Sequence, residues 1–105
     1  MYDCNTIEFV GLVIFIPKVL YNHLEPYVLK EGNELCTNKD EKIIDTLNEC
    51  KVAVKYLNLY FYGIDSVNYY PKGCYNWKTD TRSYWNTHSE GSAAEYARPI
   101  CKKGE

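Results

Sequence analysis

The chain has 105 residues, with 12 Lys and Arg against 14 Asp and Glu, for a formal net charge of −2. That length holds one domain with a thin core, because a domain this small buries only roughly 60–65% of the surface its unfolded chain exposes. The near-balanced charge argues against nucleic acid as a partner, which calls for a basic stripe. Even the mildly basic segment Lys72–Glu105, with six basic and four acidic residues, reads as a solvated surface.

Taken in chain order, residues 1–26 differ in character from the rest. The run FVGLVIFI, Phe9–Ile16, is apolar and ends at Pro17. It is too short to span a bilayer. It has the length of a signal-peptide core, but Asp3 and Glu8 precede it without a Lys or Arg, and no small-x-small cleavage site follows. Three readings compete for it: a degenerate or truncated signal peptide, a buried strand of the domain, or a wrongly assigned start. Residues 27–105 read as one cysteine-rich domain.

PYVLKEG predicts a short strand ended by Gly32, and NELCTNKDEK predicts a loop. Next comes the clearest local signal. Thr46 with Glu49 three residues on is a capping box. Cys50, Ala53, Val54 and Leu57 then recur at i, i+3, i+4 and i+7, which predicts a helix over about 46–59 with Cys50 on its buried face. YFYGIDSVNYYPKG, with Gly63, Pro71 and Gly73, reads as a loop. CYNW and RSYWN alternate as strands do, predicting a hairpin at about 74–86 turned at Lys78–Thr81. SEGSAAEY reads as a loop or short helical turn, and ARPICK as a final strand at about 97–102. The expected fold is α+β: one main helix packed on a short antiparallel sheet.

Five cysteines stand at positions 4, 36, 50, 74 and 101. None forms a CxxC pair or has a His at ligand spacing, so no metal site is expected. Widely separated single cysteines fit disulfides, which restrict the unfolded chain, and disulfides imply an oxidising compartment. Cys36, Cys50, Cys74 and Cys101 are the bridging set; Cys4 is the odd one out. Four cysteines allow three connectivities, among which the sequence does not choose.

The order Cys36, NEC, AVKYLNL, YPKGCY, YWNTHSEGS, RPICK resembles a small cysteine-rich domain common in predicted secreted proteins of marine algae and other protists. Its members read C … ITxxECxxAxxLGL … YPxGCY … YFN … ICK. The resemblance covers about Tyr27 to Lys103. It implies an extracellular, four-cysteine framework and transfers no catalytic residue. Asn58 stands where many members carry Gly, which puts the helix exit in doubt, and an extra cysteine pair that many members have is missing. The last motif is also similar, more weakly, to the end of C-type lectin-like domains, where a helix cysteine pairs with one in the final strand. That likeness favours Cys50–Cys101 with Cys36–Cys74 over Cys50–Cys74 with Cys36–Cys101. A calcium-ligand set of the lectin kind is lacking.

For function, the aromatic-rich stretch Tyr70–Ser89 stands out within a chain of 11 tyrosines. Tyr75 and Trp77 on one strand are expected to share a face with Tyr84 on the other, leaving Trp85 on the opposite face. Flat rings beside amides and an imidazole suit sugar rings or protein anchors. Trp77, Tyr84, Trp85, Asn86 and His88 are therefore the ligand-binding candidates, with Arg82 and Asn76 as polar neighbours. The bland alternative is that these rings fill the core. No GxSxG, phosphate-cradling glycine loop or HExxH is present, so no cofactor and no catalytic residue is assigned. The expectation is a secreted or cell-surface, non-catalytic recognition or structural module with a carbohydrate or protein ligand. The alternative is a small secreted enzyme or redox-active domain using His88 or a labile cysteine.

Overall fold

The computed structural model describes residues 25–104, together with the backbone of two short strands in the N-terminal segment. Those strands, β1 (Thr6–Phe9) and β2 (Leu12–Phe15), pair antiparallel with Thr6 opposite Phe15 and Phe9 opposite Leu12. The burial of that segment, its cleavage and the place of Cys4 lie outside the described residues.

The rest is a six-stranded sheet carrying one helix. β3 (Tyr27–Leu29) and β4 (Glu41–Ile43) flank the C-terminal half of β8 (Ala97–Lys103), while β6 (Pro71–Trp77) pairs its N-terminal half. β7 (Arg82–Gly91) lies beyond β6, and β5 (Tyr60–Asp65) forms the far edge. The class is α+β as expected, but the sheet is mixed. β5 runs parallel to β7, from Tyr60 opposite Arg82 to Asp65 opposite Asn86. The segment containing β5, predicted as a loop, is thus a strand followed by a short connection. Gly63 misled the reading: it sits at an irregularity in the β5–β7 register rather than at a turn. The loop predicted from Ser89 is likewise shortened, because β7 runs on to Gly91.

The helix α1 (Leu47–Tyr56) starts where the capping signal places it. Thr46 has extended backbone angles, and its Oγ1 accepts a hydrogen bond from the Glu49 amide at 3.1 Å. The reciprocal half of the box is replaced by tertiary contacts. The Glu49 carboxylate instead accepts from the Tyr27 hydroxyl at 3.0 Å and pairs with Lys102 at 3.4 Å. The exit is a Schellman motif. Leu59 N–H reaches the Val54 carbonyl at 2.9 Å, and Asn58 N–H reaches that of Lys55 at 3.0 Å. Asn58 takes a left-handed φ of 61°, the conformation a C′ residue needs in this motif, so the helix exits there without a glycine.

Cys50, Ala53 and Val54 on α1 meet Tyr27, Ile44, Cys74 and Ile100 in the core, with Phe61 and Trp85 packed against them. Two bridges staple this layer: Cys50–Cys74, enclosing 24 residues, and Cys36–Cys101, enclosing 65. The pairing favoured by the lectin-like likeness is therefore overturned. The buried stripe of α1 lies over β6, where Cys74 faces it. Cys101, flanked by Val28 and Ile43 on the neighbouring strands, receives Cys36 from the β3–β4 connection. In the chain-entropy account these loops stabilise by about 3.5 and about 4 kcal/mol.

Candidate recognition surface

Alternation along β6 and β7 separates two faces. Cys74 lies opposite Trp85, and Tyr75 lies opposite Tyr84. The first pair turns to the helix and the second away from it. On the face away from the helix the rings form a continuous row. Tyr60 and Tyr62 on β5 are 6.3 Å apart, and Tyr62 meets Tyr84 edge-on at 5.6 Å. Tyr84 stacks on Tyr75 at 5.3 Å with planes 20° apart. Tyr75 meets Tyr70 at 5.4 Å, Tyr70 meets Trp77 at 5.5 Å, and Trp77 meets Tyr96 at 6.0 Å. Tyr69 packs edge-on against Tyr70 at 4.8 Å. All these spacings fall in the range where aromatic pairs attract beyond their buried area.

The row has a buried foundation and exposed ends. Tyr75 is fully buried, and its hydroxyl donates a very short hydrogen bond to Asp65 Oδ2. Burial first, then the Asp65 carboxylate, pushes the Tyr75 phenol far above its ordinary value, so it is a neutral donor. Burial also raises Tyr84. By contrast Tyr60, Tyr62 and Tyr69 are about 60% exposed, and Tyr96 about half. Arg82 borders the face, its guanidinium 5.5 Å from the Tyr62 ring and 2.8 Å from Asp80 Oδ2. The Asp80 carboxyl is held below the usual range by the Arg82 backbone amide first and then by its guanidinium.

The five candidates from the sequence divide. Trp77 and Tyr84 belong to the row, both half-buried. Trp85 lies on the helix side, against the Cys50–Cys74 region. Asn86 is buried and fully occupied: its Oδ1 accepts from Val67 and His88 amides, and its Nδ2 donates to the carbonyls of Val67, Tyr70 and Pro71 at 2.9–3.1 Å. His88 is half-buried, with Nδ1 accepting from the amides of Glu90 and Gly91 at 3.1 and 3.0 Å. That contact closes the chain toward Gly91, which has a φ of 66° and where an added Cβ would stand 2.4 Å from the Lys72 nitrogen, so only glycine fits. Asn76 is also buried, donating to the carbonyls of Asp80 and Arg82 and accepting from Arg98. Asn76 and Asn86 thus hold the loops that carry the rings.

Sequence reasoning missed Tyr60, Tyr62, Tyr69 and Tyr96 as members of this face. A signal existed for the first two: Tyr-Phe-Tyr-Gly-Ile alternates in exposure with period two, as its burial confirms. Elsewhere, an open cleft of about 350 Å³ is lined by Lys30, Asn33, Glu34, Leu35, Thr37, Asn38 and Ala93. Beneath it lies a buried ion pair, with Lys30 Nζ 2.9 Å and 3.0 Å from the two Glu41 oxygens. Only Oε2 is aligned for hydrogen bonding. Among the described residues no three His, Cys, Asp or Glu side chains converge as a metal site, and no helix is long and apolar enough to cross a membrane. The chain shows no significant match to known protein families, to curated proteins or to solved structures.

Proposed function

We propose that the chain is a non-catalytic recognition module of an oxidising, extracellular setting, and that its aromatic sheet face takes up an extended carbohydrate chain. The observation that carries this is the row of rings from Tyr60 to Tyr96, open at the surface and braced from within by Tyr75. Sugar rings present flat C–H faces that stack on aromatics, while hydroxyls bond to the polar rim of Asp80, Arg82 and the tyrosine hydroxyls. An open row suits a polymer lying across it better than a small substrate, which needs enclosure. Exposed apolar patches rimmed by polar groups mark interaction sites generally. The two bridges support the compartment, since disulfides persist in oxidising surroundings. The non-catalytic reading is supported by the bridged state of the four cysteines and by the commitment of His88 Nδ1 to two backbone amides.

The test is calorimetric titration with soluble linear polysaccharides: a neutral β-glucan, chitin oligomers and a polyuronate. At least one is expected to bind, and Tyr60→Ala or Tyr69→Ala is expected to weaken it about fivefold with unchanged thermal unfolding, since stacking on one ring contributes roughly 1 kcal/mol. Binding that survives the loss of both rings, or no binding by any of the three, overturns the carbohydrate reading.

A further inference from the structure

The open cleft of about 350 Å³ lies beside the end of the ring row. One segment joins the two. Residues 92–96, between β7 and β8, bring Ala93 to the cleft wall and the Tyr96 ring to 6.0 Å from Trp77. The rest of the lining belongs to the β3–β4 connection, which is held in place at three points. The Asn33 amide donates to the Ala94 carbonyl at 2.9 Å. Gly32 presses on Glu95, whose carbonyl oxygen would stand 1.8 Å from an added Cβ. Cys36 ties the connection to β8 through Cys101. A site with walls fixed in this way loses little further freedom when it is filled.

The charges in the lining are already matched. Lys30 has a side chain only 11% exposed, and Glu41, 4% exposed, takes up its charge. Glu34 lies 4.0 Å from the same ammonium and accepts a hydrogen bond from the Glu31 amide at 3.1 Å. Two carboxylates therefore surround one ammonium, so an arriving anion meets net negative charge. Each carboxylate also has an ammonium or N–H beside it already, which leaves little for an arriving cation. What remains is neutral. Asn33 and Thr37 are exposed, and their side chains make no hydrogen bond among the described residues. Asn38 donates from Nδ2 to Glu41 Oε2 at 3.3 Å, and its side-chain carbonyl is left over as an acceptor. Amides and a hydroxyl both donate and accept, as the hydroxyls of a sugar do. The volume is near the low end of the roughly 300–1,000 Å³ of small-ligand pockets, which suits a sugar unit.

We propose that this cleft is a second subsite for the same glycan, seating an uncharged sugar unit at the end of a chain whose body lies on the ring row. The inference rests on the carbohydrate reading of that row and adds the polar contacts that orient the chain.

Nuclear magnetic resonance titration of the full chain, with affinities from calorimetry, tests it with oligomers of β-1,4-linked glucose, N-acetylglucosamine, glucosamine and galacturonate. A neutral oligomer is expected to shift the amide signals of Asn33, Thr37 and Asn38 together with those of Tyr60 and Tyr96. Asn33→Gly keeps the left-handed backbone, at a φ of 63°, and removes the side-chain amide; Thr37→Val removes the hydroxyl. Each is expected to weaken binding about fivefold, the effect of one net hydrogen bond, and to move thermal unfolding little. These losses multiply with that of Tyr60→Ala, because the two sites are separate. Binding that Tyr60→Ala weakens but neither cleft variant touches, without shifts at Asn33–Asn38, overturns the cleft subsite and leaves the ring row standing. Tighter binding of the glucosamine or galacturonate oligomer through the cleft refutes its preference for an uncharged unit. Failure of all four oligomers to bind removes the cleft subsite and the carbohydrate reading together.

Discussion

Replacing Asn86 by alanine separates two accounts of this residue. As a ligand contact on a solvated strand, it would change stability by less than about 0.5 kcal/mol. The structure instead makes it the brace of the β5–β6 connection. Its amide satisfies two backbone N–H groups, of Val67 and His88, and three carbonyls, of Val67, Tyr70 and Pro71. Each such bond contributes about 0.5–1.5 kcal/mol net. Val67 and Tyr70 are only partly buried, so water recovers part of the loss, whereas Pro71 is buried. The expected cost is about 3 kcal/mol, a large share of the roughly 5–10 kcal/mol typical of a small domain. Asn86→Asp costs more, because a carboxylate oxygen then faces three carbonyls. Urea unfolding followed by tyrosine fluorescence measures both, and amide exchange at Val67–Tyr70 reports the local release. A loss below 1 kcal/mol for Asn86→Ala, with protection of that connection unchanged, would refute the bracing role.

Three further outcomes are expected. Lys30→Met leaves the Glu41 side chain, only 4% exposed, without its cation, and costs about 3–5 kcal/mol; adding Glu41→Leu recovers most of it, as denaturant midpoints will show. Asn58→Val loses about 1–2 kcal/mol because a β-branched residue tolerates a φ of 61° poorly, while Asn58→Gly is neutral or mildly stabilising by the same assay. Tyr27, Tyr75 and Tyr84 all have phenol pKa values raised in the folded state, chiefly by burial. Their contribution to stability is therefore complete below about pH 10 and falls as pH rises through the folded-state values. An alkaline titration should show these phenols ionising together with the loss of circular dichroism, and ionisation of every tyrosine in a still-folded protein would contradict it.

Local signals were legible where a single segment carried them. Thr46, the 3–4 spacing of Cys50, Ala53, Val54 and Leu57, and the alternation of CYNW against RSYWN each follow from backbone periodicity and capping chemistry, and the helix and hairpin stand where those signals put them. The same alternation placed Tyr75, Trp77 and Tyr84 on one face and Trp85 on the other. The polar candidates were a different matter. Asn86 and His88 looked available because the sequence shows a side chain but not the backbone groups folded against it.

What the sequence by itself determined is therefore the helix, its N-cap, the central hairpin and the set of four bridging cysteines. Tertiary structure alone decided three things. It fixed the disulfide pairing, because which cysteine lies beneath Cys50 depends on the position of α1 over β6. It made the sheet mixed, because β5 pairs in parallel with β7 rather than with β6, the next strand in sequence, which takes the other edge of β7. And it assembled the aromatic row, because Tyr60, Tyr84, Tyr75 and Tyr96 come from separate segments whose rings meet only once strand order and register set them 5–6 Å apart.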